Sequence, residues 1–165
     1  MTEQEHNRRT YSWLDPDKFE QLAAGKTGLE YMQLLAAEGL RSGPFWQTMG
    51  VEKFEVLGPG ETLFTVEPQP FHYNIIGTVH GGFIAGLLDS ALGTAVHTML
   101  PVASKMTTVQ INIHFVRPVT LDSGMLRCTG KALHVGRRTA TAEARLVDAE
   151  DKLCAHASGT MVIFE

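Results

Sequence analysis

The sequence predicts an α+β domain in which an antiparallel β-sheet wraps around one long central α-helix. Three observations carry that expectation. The run HGGFIAGLLDSALGTAVHTM, His80 to Met99, places Phe83, Ile84, Leu87, Leu88, Leu92, Val96 and Met99 on nearly every side of a helix, as in a helix enclosed by protein. Downstream, segments of apolar and polar alternation follow one another without intervening helices. Grouped strands favour an antiparallel sheet, and a sheet that curls is what would bury such a helix.

Element by element, residues 1–28 read as a partly ordered arm, with Pro16, Asp17 and Phe19 to Ala24 suited to the start of a short helix, and no function is expected there. Gly28 to Leu40 spaces Leu29, Met32, Leu35, Ala36 and Leu40 for a short covering helix, with Gly39, Gly43 and Pro44 as stop signals. Phe45 to Gly50 is expected to be a connection. Val51 to Val56 and Leu63 to Pro68 flank GPGE, a hairpin turn signal. Beyond the long helix, Thr107 to Val116 sets Val109, Ile111, Ile113 and Phe115 against Thr108, Gln110, Asn112 and His114, as in a half-buried strand. Pro118 and Asp122 to Gly124 interrupt it, Met125 to His134 and Thr139 to Val147 alternate about the turn HVGRR, and Leu153 to Phe164 forms the last strand. Residues 29–165 are thus expected to form a single domain.

Composition narrows the function classes. The chain has 165 residues, enough for one domain with a sizeable core. Its net charge is −4 and its Lys and Arg residues are scattered, without the basic stripe that nucleic-acid binding needs. The first residues lack an apolar signal core and the apolar helix carries an acid and several glycines, so neither export nor a membrane span is expected, and the inferred location is cytoplasmic. Cys128 and Cys154 stand alone in strand-like segments and read as small buried thiols.

The candidate chemistry centres on Asp89. An ionised carboxylate buried in an apolar helix is costly unless something pairs with it or uses it. Gly82, Gly86, Asp89 and Gly93 share one helical face and leave space beside the acid. Just upstream, FHYNIIGTVHGG brings polar groups and glycines to a helix N-terminus, where free N–H groups attract negative charge. Asn74, Gly81 and Asp89 supply a carboxamide, a backbone donor and a carboxylate, a set suited to carbonyl chemistry.

At these residues the chain resembles a known family. HYNIIGTVHGG followed by Asp89, then TTVQINIHFVRPV, then GRRTATAEARLVD, is similar to the phenylacetic-acid-degradation-type branch of the hot-dog acyl-CoA thioesterases, over roughly Leu29 to Glu165. The resemblance implies a hot-dog fold, a homodimer whose sheets join, usually a dimer of such dimers, and acyl-CoA substrates hydrolysed at the subunit interface. It implies that the Gly81 N–H polarises the thioester carbonyl, and that Asp89 of the other subunit acts as nucleophile or general base. Asn74 would orient the thioester or the attacking water. Thr108, with Thr107 beside it as the alternative, would hold that water. His80 would fix the loop, Gly82 would lie with it at the substrate, and Gly136, Arg137 and Arg138 would grip the pantetheine and phosphates of CoA. No metal or organic cofactor is required. Phe71, Tyr73, Ile75, Ile76, Phe83 and Leu87 are candidates to line the acyl pocket.

Rival readings fit less well. The histidines lack zinc-ligand spacing and no Gly-x-Ser-x-Gly elbow occurs. A hydratase would pair a His and an acid at another spacing. A non-catalytic acyl-CoA sensor on the same fold remains the alternative, although such a protein typically lacks the carboxylate.

Overall fold

Leu87, Leu88, Ala91, Leu92, Ala95 and Val96 form one continuous side of the long helix and are buried against the sheet, each large side chain contributing about 1.5–3 kcal/mol. The protein is described by a computed structural model covering residues 7–38 and 43–165. Helices α1 (Asp17–Ala23), α2 (Gly28–Ala37) and α3 (Pro44–Met49) precede strands β1 (Lys53–Gly58) and β2 (Glu61–Val66). The long helix α4 (Gly81–His97) follows, then β3 (Lys105–Phe115), β4 (Leu126–Val135), β5 (Thr139–Val147) and β6 (Leu153–Phe164). The six strands make one antiparallel sheet in the order β1-β2-β4-β5-β6-β3, with α4 against its inner face. This is the α+β hot-dog arrangement expected from the sequence.

The close seat of α4 depends on one glycine. A Cβ on Gly130 of β4 would lie 2.0 Å from the Ala91 carbonyl oxygen, so only a residue without a side chain lets strand and helix backbones meet there. Polar groups trapped beneath the helix are paired: the Thr94 hydroxyl donates to the Ser90 carbonyl at 2.8 Å and accepts from Thr62 at 2.8 Å.

Three expectations require correction, and one lies beyond the described residues. The 45–50 segment is not a plain connection: Pro44 at the first turn and Gly50 in the left-handed region (φ 70°) bound α3, whose Trp46 packs on Phe54 and Phe64. The end of the expected α2, Gly39 and Leu40, lies outside the described residues, as do residues 1–6. In β3 the alternation is broken by a bulge at Val109, which leaves that residue exposed and puts Met106, Thr108, Ile111 and Ile113 on the inner side. Finally, α4 is not enclosed all round, since Gly82 and Asp89 are exposed in the single chain, as is Met99 just beyond its end. No helix among the described residues is long and apolar enough to cross a membrane.

Candidate active site

Helix α4 begins with three of its four orphan N–H groups already satisfied. The His80 side chain caps it, with Nδ1 accepting from the Gly82 N–H at 2.8 Å, which puts the ring proton of the neutral imidazole on Nε2. The His80 carbonyl accepts from the Phe83 N–H at 3.0 Å, and the His80 N–H donates to the His72 carbonyl at 2.8 Å. The Gly81 N–H has no partner among the described residues, and it carries the positive end of the helix dipole. The ring of Phe115 lies beside it, 3.4 Å from where a Gly81 Cβ would be.

The loop that delivers this turn is closed by Asn74. Its Oδ1 accepts from the N–H groups of Ile76 and Thr78 at 2.9 and 3.2 Å, and its Nδ2 donates to the Thr78 hydroxyl at 2.9 Å. That geometry is an Asx turn, in which the carboxamide mimics backbone. One amide N–H remains without a partner among the described residues. Beneath the loop, buried His72 accepts from the Gln69 N–H through Nδ1 at 3.0 Å and contacts the Met49 carbonyl through Nε2 at 2.7 Å. Its ring stacks on Phe83 at 3.8 Å, tying the loop and α3 to the first turn of α4. Burial holds this imidazole below the usual histidine range. Nothing in the spacing singles out His72, although an HxN pair stands ahead of HGG.

Asp89 lies two turns further along α4. Contrary to the sequence expectation it is exposed, and it has no hydrogen-bond or ion-pair partner among the described residues. It lines a cavity of about 440 Å³ between α4, the N-terminal helices and β3. Thr107 and Thr108 line the same cavity, and the strand register separates them: Thr108 pairs with buried Met161 on the inner face, Thr107 with Val162 on the outer. The apolar walls are Phe19, Tyr31, Met32, Leu35, Trp46 and Met106 rather than the residues expected from the loop. Of those, Phe71, Tyr73 and Phe83 line a separate hollow of about 380 Å³ beside His80 and Gly82, Leu87 is in the core, and Ile75 and Ile76 are exposed.

The chain therefore carries two half-arrangements. Gly81, Gly82, His80 and Asn74 belong to the N-terminus of α4, and Asp89 and Thr108 to its middle. Eight residues of helix separate Gly81 from Asp89, about 12 Å at 1.5 Å per residue. Gly136, Arg137 and Arg138 form the exposed β4–β5 turn, and the Arg138 carbonyl accepts from Ile163, which sets the turn about 10 Å, two strand spacings, from the start of β3. Neither arginine has an ion-pair partner among the described residues.

A long helix cradled by a six-stranded antiparallel sheet, with a bare backbone donor at its N-terminus, defines a hot-dog protein. The chain belongs to the thioesterase superfamily, whose family profile matches residues 76–155, and within it to the phenylacetic-acid-degradation type. A protein of Halobacterium salinarum carrying an esterase name is 31% identical over 119 residues, covering 68% of this chain and 68% of that protein. A mutant form of the phenylacetic acid degradation protein PaaI from Thermus thermophilus is 31% identical, with a TM-score of 0.65 over 73% of this chain and 98% of that one. A Streptococcus mutans protein solved with bound acetyl-CoA shares the fold at 24% identity, with a TM-score of 0.61 over 67% of this chain and 86% of that one.

Proposed function

We propose that the protein hydrolyses the thioester of a medium-chain or aryl acyl-CoA to the free acid and CoA, at a site completed by a second copy of the chain. The observation that carries this reading is the occurrence on one helix of a Gly81 N–H and an Asp89 carboxylate at a cavity mouth, neither with a partner among the described residues. At about 12 Å apart they are too distant to act on one carbonyl within a chain. A second copy related by two-fold symmetry brings the Asp89 of one chain to the Gly81 of the other. The long edge strand β3, eleven residues with one side unpaired and with Val109 and Phe115 exposed, offers the pairing surface. Acyl-CoA as the substrate class is supported by family membership and by the acetyl-CoA complex of the Streptococcus protein.

In this reading the thioester carbonyl oxygen accepts from the Gly81 N–H, and the developing oxyanion is stabilised by about 2.7–4 kcal/mol. Asp89, with Thr108 beside it, holds a water and takes its proton as the oxygen attacks the carbonyl carbon. The tetrahedral intermediate collapses, the C–S bond breaks, and the CoA thiolate leaves with the proton that Asp89 returns. Asn74 and His80 fix the loop that presents Gly81. Arg137 and Arg138 meet the CoA phosphates. Residues 29–165 make up the catalytic domain.

Release of free thiol from a panel of acyl-CoA esters tests the proposal. Asp89→Asn is expected to lower kcat/KM at least about a hundredfold with the fold retained, as loss of a general base does. Tight acyl-CoA binding with no thiol release from any ester by the unmodified protein would contradict turnover and favour a sensor.

A further inference from the structure

The cavity that begins at Asp89 runs along α4 through Gly93 to His97, a span of eight residues or about 12 Å. Phe115 lies beside Gly81 and Met106 beside Gly93, so β3 runs antiparallel to α4 and Thr108 falls on the Asp89 side of Met106. The end nearer Asp89 is thus polar, and the cavity's apolar walls include Met32, Leu35, Trp46 and Met106. At the far end stand three rings, Phe19 of α1, Tyr31 of α2 and His97 of α4, with Tyr31 and His97 5.7 Å apart. The same three residues also line a second cavity of about 220 Å³, bordered by Lys26 and Lys105. They are a septum between two spaces, and Phe19 and Tyr31 lie outside residues 76–155 matched by the superfamily.

We propose that this Phe19, Tyr31 and His97 septum sets the acyl length the protein accepts and selects straight-chain acyl groups of medium length. The proposal deepens the thioesterase reading and rests on it for the position of the carbonyl at Asp89. An extended chain advances about 1.2 Å per single bond, a third of its reach per three-bond residue, so 12 Å holds an acyl group of about eight to ten carbons. A longer chain meets the rings. A single aromatic ring would leave the Tyr31 end empty and forfeit the contacts there. Phe19 belongs to the arm from which no function is expected, so the arm thereby contributes one wall of the specificity-determining septum.

The test measures thiol release from straight-chain esters between butyryl-CoA and palmitoyl-CoA and from phenylacetyl-CoA. Wild type is expected to peak at octanoyl- to decanoyl-CoA, with kcat/KM lower by about tenfold or more on tetradecanoyl-CoA. Tyr31→Ala and Phe19→Ala, both at half-buried positions, open the second cavity and move the optimum to dodecanoyl- and tetradecanoyl-CoA. Tyr31→Phe, which restores the ring, returns the wild-type optimum. Fluorescence of Trp46 in a Trp13→Phe background, titrated with octanoate, decanoate and myristate, reports the same length preference without turnover. An optimum unmoved in both folded alanine variants overturns the proposal, as does a preference for phenylacetyl-CoA over octanoyl-CoA. Free acids bound with the expected length preference but no ester hydrolysed would leave the septum standing and overturn the thioesterase reading instead.

Discussion

Replacing Gly81 by proline deletes one N–H from the protein and little else. That N–H donates to no described acceptor, so no native hydrogen bond is lost. Gly81 is the first residue of α4, the position where proline's fixed φ suits a helix and its missing donor is tolerated. His80 before it, at φ −66° and ψ 134°, already has the extended backbone that proline demands of its predecessor. The nearest atom to a Cβ at this position is Phe115 Cζ at 3.4 Å, an ordinary contact. If the N–H is the oxyanion donor, its loss costs about 2.7–4 kcal/mol in the transition state, or roughly a hundred- to a thousandfold in kcat. The assay is thiol release at saturating octanoyl-CoA, with thermal unfolding as the control for folding. Gly81→Ala keeps the N–H and adds the same contact, and is expected to stay within a few-fold of wild type. A folded Gly81→Pro protein with wild-type kcat would refute the assignment of this amide.

The remaining predictions concern the frame around the site. Gly130→Ala forces a Cβ against the Ala91 carbonyl and is expected to cost about 3 kcal/mol by overpacking, lowering Tm by roughly 6–12 °C; an unchanged Tm would refute the close approach of β4 to α4. Burial holds both His72 and His97 below the usual histidine range. The unfolded chain therefore binds more protons than the folded one just below about pH 6.5, so stability is full above that pH and falls as pH drops beneath it; a Tm that stays flat or rises between about pH 7.5 and 5.5 contradicts this. Cys128 and Cys154 are buried free thiols whose ionisation burial opposes, so a thiol reagent should label neither in the native protein and both after unfolding.

Much of the fold was legible because its signals are local. The bounds Thr139 to Val147 and Leu153 to Phe164 match β5 and β6, and the period-two burial of β5 depends only on which face meets the core. Gly60 at φ 82° closes the GPGE hairpin as its composition foretold. What was not legible depends on partners remote in sequence. The bulge at Val109 arises on an edge strand with a neighbour on one side only, which no periodicity count reveals. The exposure of Asp89 is not legible because the apolar residues of the 80–99 run point to a closed ring, whereas Gly82, on the same side as Asp89, also lies open. The motif residues Asn74, His80, Gly81 and Asp89 stood out through spacing. The cavity walls Tyr31, Trp46, His97 and Met106 did not, because apolar residues of four separate elements converge only after folding. His72 shows the same limit: its value lies in contacts with Gln69, Met49 and Phe83, of which sequence displays only the nearest.

Subunit mixing tests the composite site most directly. Asp89→Asn and Gly81→Pro proteins, each nearly inactive alone, are combined in equal amounts under conditions that exchange subunits, and thiol release is measured. In a mixed two-fold dimer one site receives the intact Gly81 of one chain and the intact Asp89 of the other, while the second site carries both defects. Half of the dimers are mixed and half of their sites are whole, so activity is expected to recover to about a quarter of wild type. Mixed dimers that form yet show no recovery would place Gly81 and Asp89 in separate functions and contradict the shared site.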